Sequence, residues 1–409
     1  MEQVLYKLPD GWEWHSVKKL SHNIQYGHTA KAESNGNAKF LRITDIQDGK
    51  IDWQGVPTVS LEKKEINKYA LNDDDLIFAR SGATAGKSIL IKNAPKDAVF
   101  ASYLIRIVPN KKYIIPEYLS YFFLTPAYWE VVGQNAAGAA QPNINGTKLS
   151  EFIVPVAPQG EQKRIVEKLG ALLTRIDTAI EHLQESVTLA DALSQNGLDV
   201  YFAELTETNP ELTLSKLADF ISGYAFKSGD FKSESGIKPI KITNVGVNEF
   251  SENAEEFLPA SYETEYQRFA AKTNDIVIAL TRPIINGGLK VCRVPEAYSG
   301  ALVNQRVAAI TSHNKHVLDF IYLYLQSSRT KNYVLEKSKS LNQPNLSITD
   351  LKNLTLPLPV NDEAIAKAVA DCNALISKAR KSKAEISEKI TMMQQLKASI
   401  LDSAFKGEL

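Results

Sequence analysis

Cysteine is scarce in this chain, charge of one sign is not in excess, and long apolar runs are missing. Two cysteines in 409 residues, Cys292 and Cys372, cannot build a disulfide framework and fit a reducing, cytoplasmic setting. No stretch approaches the roughly 18–20 apolar residues of a membrane span, so no membrane partner is expected. Met1 to Trp14 also lacks the apolar core of a signal peptide. The six histidines offer no ligand set. His313-Asn314-Lys315-His316 has no further ligand close in sequence, so no metal is expected. Lys and Arg number 47, and so do Asp and Glu. A simple nucleic-acid binder carries a basic excess, so this balance counts against one unless partners supply phosphate contacts or the basic residues cluster. Residues 1–158 carry 18 basic against 16 acidic, and 206–359 carry 17 against 16. Residues 159–205 carry 4 against 8, so the negative charge is gathered in one segment.

What is present is written twice. Lys39-Phe40-Leu41-Arg42-Ile43-Thr44-Asp45-Ile46 returns as Lys238-Pro239-Ile240-Lys241-Ile242-Thr243-Asn244-Val245. Asp75-Leu76-Ile77-Phe78-Ala79-Arg80 returns as Asp275-Ile276-Val277-Ile278-Ala279-Leu280, and Gln141-Pro142-Asn143 as Gln343-Pro344-Asn345. A repeat of about 200 residues is far too long for a solenoid and means a duplicated domain pair. Each half splits into a globular part with short β-rich runs (Leu76–Ala79, Ser88–Ile91, Tyr103–Val108, Ile276–Leu280) and helical stretches near Pro116–Trp129 and Val317–Glu336. The mixture reads as α+β.

Each globular part is followed by a longer helical segment with heptad spacing. In the first, apolar residues fall at Val166, Leu169, Leu173, Ile176, Ile180, Leu183, Val187 and Ala190, alternating steps of three and four as a coiled-coil seam does. The second runs Val369, Cys372, Ile376, Ala379, Lys383, Ile386, Ile390, Met393, Lys397, Ile400, Ala404, at a constant offset of 203 residues. Lys383 and Lys397 interrupt it, at a cost in stability and with a gain in register. The expected domains are 1–158 and 206–359, globular, with coiled-coil helical regions at 159–205 and 360–409. If the helices pair antiparallel, two homologous globular domains are separated and joined by a rod with a pseudo-two-fold axis. Such a plan suits two separated half-sites on one DNA duplex, and the divergence of the halves makes the target asymmetric and bipartite.

This order of parts, the helix entry Ile153-Val154-Pro155-Val156-Ala157-Pro158-Gln159-Gly160-Glu161-Gln162, the closing Ala404-Phe405-Lys406-Gly407-Glu408-Leu409 and the loop Arg80-Ser81-Gly82-Ala83-Thr84-Ala85-Gly86-Lys87 resemble the specificity subunits of type I restriction–modification systems. The likeness covers the whole chain, and it rests on order and duplication rather than on any single motif. It implies two target recognition domains, each reading half of a split site in double-stranded DNA. It further implies two modification subunits that methylate adenine with S-adenosylmethionine, and restriction subunits that use ATP and Mg. The chain itself would hold no cofactor and perform no catalysis. The second half departs from the pattern, with Arg282-Pro283-Ile284-Ile285-Asn286-Gly287-Gly288-Leu289-Lys290 in place of the Gly-rich loop and Asn361-Asp362-Glu363-Ala364 in place of Gln159-Gly160-Glu161-Gln162.

Candidate DNA contacts follow from residue type. Arg80, Ser81, Gly82, Thr84 and Lys87 combine charge, hydroxyls and close backbone approach. The loop approximates a phosphate-loop pattern, but Ser81 stands where its first Gly belongs, and a strand-like run follows instead of a helix. A plain Gly-rich hairpin remains open. Gln141, Asn143, Gln343 and Asn345 carry amides able to pair with adenine; a turn shared by both halves explains them as well. Tyr26 with Lys31, and Tyr224 with Lys227, place an aromatic beside Gly and ahead of Lys, equally readable as a strand end with a rim tyrosine. Arg42, Thr44, Lys241, Thr243 and Asn244 lie in β-like runs with a polar face, and Arg282, Lys290, Gln305 and Arg306 complete the set. No dinucleotide fingerprint, no Asn/Asp-Pro-Pro-aromatic methyltransferase signature and no nuclease cluster is present. Two other readings stay open: a non-enzymatic scaffold or adaptor with duplicated binding domains on a coiled-coil strut, and an enzyme resting on the near-phosphate loop.

Overall fold

The computed structural model describes residues 6–47, 49–136, 143–232, 235–253, 255–338 and 344–409. It divides into two compact units, Met1–Gln184 with Glu388–Leu409, and Glu185–Ser387. Each unit is built on the same four-stranded antiparallel sheet. In the first unit the strand order is Ser21–Tyr26, Leu104–Pro109, Leu76–Ala79, Ser88–Leu90. In the second it is Asp219–Ser222, Val307–Thr311, Ile276–Ala279, Val291–Arg293. The inner strands read as unbroken apolar runs, Leu76-Ile77-Phe78-Ala79 and Ile276-Val277-Ile278-Ala279, and all eight residues are buried, as sheets covered on both faces require. A parallel pair lies beside each sheet, Ala38–Leu41 with Ala98–Phe100 and Pro239–Ile240 with Leu302–Val303. A short ladder joins each unit's first strand to its last, Glu13–Ser16 with Ile153–Val156 and Glu211–Thr213 with Thr355–Pro357.

Sequence periodicity overestimated three elements. The stretch Pro116–Trp129 is two helices, Pro116–Phe122 and Pro126–Ala136, because Pro126 cannot extend the first and instead opens the second. Val317–Glu336 is likewise two, Lys315–Leu325 and Ser328–Lys337, where the Ser327 hydroxyl caps the second by accepting from the Thr330 amide. The β-like run around Arg42–Asp45 is a strand only to Leu41, and Ile43–Asp45 is a 3-10 turn.

The long helices span Gln159–Thr208 and Asp362–Lys406. The heptad seam is their covered face. Leu169, Leu173 and Ile176 are buried, and Ile180, Leu183, Val187, Ile376, Ile386, Ile390 and Met393 are half-buried, as a two-helix seam flanked by water leaves them. Lys397 reaches Asp177 at 2.6 Å within the first unit, and Lys383 reaches Asp191 at 2.6 Å within the second. The aspartates rise by 14 residues while the lysines fall by 14. Two seam lysines that interrupt the apolar stripe thus each meet an acid on the facing helix.

The helix ends explain the repeated aromatic closing motifs. The last turns of the second long helix enter the first unit's core, where Phe405 packs 4.8 Å from Tyr118 and 5.7 Å from Phe122, ring centre to ring centre. The last turns of the first long helix enter the second unit's core, where Phe202 packs 5.6 Å from Phe320 and 5.0 Å from Tyr324. Each globular fold is therefore completed by the helix that follows the other copy in sequence.

The diverged helix entries do one job with different chemistry. Gln162, 1% exposed, accepts from the Ile115 amide at 2.8 Å and donates to the Tyr113 and Ala157 carbonyls, fastening the first long helix to its domain. At the second entry Asp362 accepts from the Asn314 amide at 2.7 Å and pairs with His316 at 3.0 Å, while Asn361 caps the helix through the Ala364 amide. These bonds to Asn314 and His316 hold the Asp362 carboxyl below the usual carboxylate range. His316 is therefore a helix-start residue tied to an acid. Among the described residues no group of three metal-ligating side chains occurs, and no helix is long and apolar enough to cross a membrane.

Candidate functional site

One end of each four-stranded sheet collects polar loops from four parts of its unit. In the first unit the glycine after strand Ser21–Tyr26 lies so close to the neighbouring chain that a Cβ on Gly27 would stand 2.2 Å from the Ala101 carbonyl oxygen. In the second, a Cβ on Gly223 would stand 2.0 Å from the Asn304 carbonyl oxygen. Only glycine permits such an approach. The amides match too, with Gly27 donating to the Leu104 carbonyl at 3.2 Å and Gly223 to that of Val307 at 3.1 Å. Gly27 and Gly223 are therefore the register points of the two copies.

Tyr26 precedes its glycine and Tyr224 follows, so the two tyrosines are not equivalent. Tyr224 stands opposite Asn304 as His28 stands opposite Ala101. Tyr26 ends its strand, 41% exposed, with its hydroxyl accepting from the Gly146 amide at 2.8 Å. Tyr224, 36% exposed, sits in an aromatic cluster with Phe226, Tyr266 and Phe269, all at ring distances of 4.9–5.0 Å.

The loop after the inner strand turns at the same place in both units. Ser81 bridges to Asn143, and Thr281 bridges to Asn345. The Ile144 amide donates to the Arg80 carbonyl at 2.8 Å, and the Leu346 amide to the Leu280 carbonyl at 2.7 Å. Asn143 and Asn345 thus dock on that loop in both copies, with both residues exposed. Gln141 and Gln343, expected as contacts, lie outside the described residues. The loop itself is no phosphate cradle. Gly82–Thr84 forms a 3-10 turn, and the chain then enters the antiparallel strand Ser88–Leu90, so no helix N-terminus faces the glycines. Gly82 and Gly86 take φ of 80° and 87°, which glycine alone adopts without penalty. Thr84, Lys87 and Ser88 line a pocket together with Ile43, Ile46, Leu124 and Trp129.

The remaining candidates separate by exposure. Lys31, Thr44, Lys227, Thr243, Arg282, Gln305 and Arg306 are exposed. Arg42 spends its guanidinium on Asp45 at 2.7 and 3.1 Å, and Lys241 pairs with Glu256. Asn244 is displaced from the surface: it is 3% exposed, accepts from the Lys241 amide at 2.8 Å and donates to the Ser251 carbonyl at 2.7 Å. Its amide holds a turn and cannot reach a base. Lys290 is half-buried and donates to the Ile242 carbonyl at 3.0 Å, with burial lowering its pKa. The Arg80 guanidinium lies 5.2 Å over the Tyr26 ring. Two groups escaped the sequence reading, Tyr103 and the aromatic set Tyr262, Tyr266 and Phe269. Tyr103 lies in an apolar run that reads as a strand; the 203-residue offset that aligns the helices also places it on Arg306.

The comparisons with known proteins follow this division into two copies. The model of the type I restriction modification DNA specificity domain matches twice, over residues 9–189 and 207–388. The chain is 24% identical to the type I restriction enzyme MjaVIII specificity subunit of Methanocaldococcus jannaschii, covering 93% of this chain and 90% of that one. It is 26% identical to the EcoKI specificity subunit of Escherichia coli, over 98% and 90%. Among solved structures it resembles a chain from a study of assembly and conformational transition in the type I R-M system, with TM-score 0.73, 19% identity and 99% and 100% coverage. It also resembles the HsdS subunit of Thermoanaerobacter tengcongensis, with TM-score 0.53, 19% identity and full coverage of both chains. With two copies of the family's domain spanning most of its length, the chain belongs to the type I restriction–modification specificity subunits.

Proposed function

We propose that each sheet end reads one half of an asymmetric, split DNA site, and that the chain directs partner subunits to it for adenine methylation and for cleavage. The observation that carries this is one scaffold with two different polar sets at the same place. Arg80, Ser81, Asn143 and Tyr26 stand on the first unit, and Arg282, Asn345, Gln305 and Arg306 on the second. A scaffold held by identical docking would have no use for this divergence, whereas two unlike half-sites require it.

Partner docking has its own support on the long helices. Leu189 and Leu193 are 67% and 73% exposed, and Met392 and Leu396 are 54% and 47% exposed. Within each pair the residues are four apart, hence on one helix face, and the second pair repeats the first at the same 203-residue offset. A duplicated apolar face fits two copies of one partner, the modification subunit. S-adenosylmethionine, ATP and Mg are then used by the modification and restriction subunits and not by this chain. The near-neutral charge follows if those subunits supply much of the phosphate contact.

Binding of duplex DNA by the complex with modification subunits, measured across salt concentration, tests the reading. The expected result is tight binding with a steep negative salt slope that this chain alone does not reproduce. Equal, salt-insensitive behaviour of chain and complex would refute it.

A further inference from the structure

In the first unit the residues Ala101, Ser102, Tyr103 and Leu104 form a tight turn into the central strand, closed by the Leu104 amide on the Ala101 carbonyl at 2.9 Å. In the second, Asn304, Gln305, Arg306 and Val307 form its counterpart, closed by the Val307 amide on the Asn304 carbonyl at 3.2 Å. Ser102 donates to the His28 carbonyl at 2.9 Å and Gln305 to that of Tyr224 at 2.8 Å. The Tyr103 carbonyl accepts from the Arg80 amide at 3.0 Å, and the Arg306 carbonyl from the Leu280 amide at 2.7 Å. Three matched bonds make Tyr103 and Arg306 the same position in the two copies.

Both residues are unusual for a turn. Tyr103 is 65% exposed, and among the described residues its side chain has no ring, hydrogen-bond or ion-pair partner. A tyrosine ring left in water stabilises nothing in the fold. Arg306 is exposed and takes φ of 72°, in the left-handed region where a side chain is strained and Gly or Asn would sit without cost. Arg282, at the matching start of the neighbouring loop, also has positive φ, 47°, where the first unit has Gly82. Strained side-chain-bearing residues gathered at one surface mark a place where side-chain chemistry outweighs backbone comfort. The first unit places an aromatic ring at this tip, beside Arg80 stacked on Tyr26, and the second places a guanidinium.

From this we infer that the turn tip is a specificity-determining position in both domains, with the Tyr103 ring packing on apolar base edges of one half-site and Arg306 donating to base acceptors of the other. Packing against a thymine methyl and paired donation to guanine are the contacts these two side chains are built to make in a major groove. The inference rests on the reading of the sheet ends as DNA-reading surfaces.

The test uses the complex with its modification subunits. Methylation rates are measured on the wild-type motif and on a panel with each base pair changed, for wild type, Tyr103→Ala, Tyr103→Phe and Arg306→Gly. Tyr103→Ala is expected to lower discrimination by about 5- to 100-fold at one or two base pairs of one half only, with Tyr103→Phe close to wild type. Arg306→Gly is expected to do the same in the other half, with a thermal midpoint no lower than wild type because it relieves the strained backbone. Unchanged discrimination in the variants overturns the inference. So does an equal loss across all sequences with a shallower salt dependence, the mark of a phosphate contact, and so do effects of both variants in the same half. If wild-type complex recognises no split motif, the functional reading fails and this inference fails with it. If wild type does and the variants keep its discrimination, this inference alone fails.

Discussion

Arg106 shows how far a single residue can differ between two copies of one fold. It sits on the central strand, 7% exposed, 3.7 Å from Asp75 and donating to Gln25 at 2.5 Å and to the Ala70 carbonyl. Burial pushes the Asp75 carboxyl up and the Arg106 guanidinium down, so neither ion is fully repaid by the other. The strand register places Ala309 at this position in the second unit. There Asp275 is buried as well, and the Lys272 amide on its carboxylate, at 2.7 Å, takes the part that the Asn72 amide plays for Asp75. Removing one partner of a buried pair costs about 3–5 kcal/mol, and Arg106→Ala is expected near the lower end because Asp75 keeps its amide donor. Urea unfolding that shows a loss below about 1 kcal/mol would mean that the pair is idle. At this scale residue type is legible in a sequence and burial is not. Lys241, Asn244 and Lys290 have the chemistry of DNA contacts, yet each is spent on its own fold. Tyr103 has the composition of a core residue and stands in water.

At the scale of elements the long helices were legible because a seam is a property of spacing alone. All eleven of the apolar seam residues from Leu169 to Val187 and from Ile376 to Met393 lie on the covered face. Short helices were less legible, since Pro126 and Ser327 end one helix and begin another within a continuous apolar pattern. The register pins and the packed ends should contribute unequally. Lys383 and Lys397 make solvent-flanked pairs with Asp191 and Asp177, so each change to Ala should cost less than about 1 kcal/mol. Phe405→Ala removes a ring that is 2% exposed in the first unit's core and should cost about 3–5 kcal/mol. Thermal or urea unfolding of the three variants checks the ranking, and a lysine variant costing as much as Phe405→Ala would contradict it.

For the whole molecule the duplication was the most legible feature, because it needs only the chain compared with itself. What it could not reveal is that each copy's globular fold is closed by the helix following the other copy, a fact of packing at Phe202 and Phe405. The same duplication sets an expectation for assembly. Leu193→Asp should remove one modification subunit from the complex and Leu193→Asp with Leu396→Asp should remove both, with the thermal midpoint of the chain unchanged, since both leucines are exposed. The mass of the complex in solution reads this directly, and full assembly of the double variant would exclude these faces as the docking sites.

The central claim is that this chain alone chooses the DNA site. The most direct test is a genome-wide map of methylated adenine in cells with the gene intact and deleted, together with Arg80→Ala in the first unit. One split, asymmetric motif is expected to lose methylation on deletion, and Arg80→Ala to relax or abolish it in one half while the spacing is kept. A motif that persists unchanged after deletion would contradict the account.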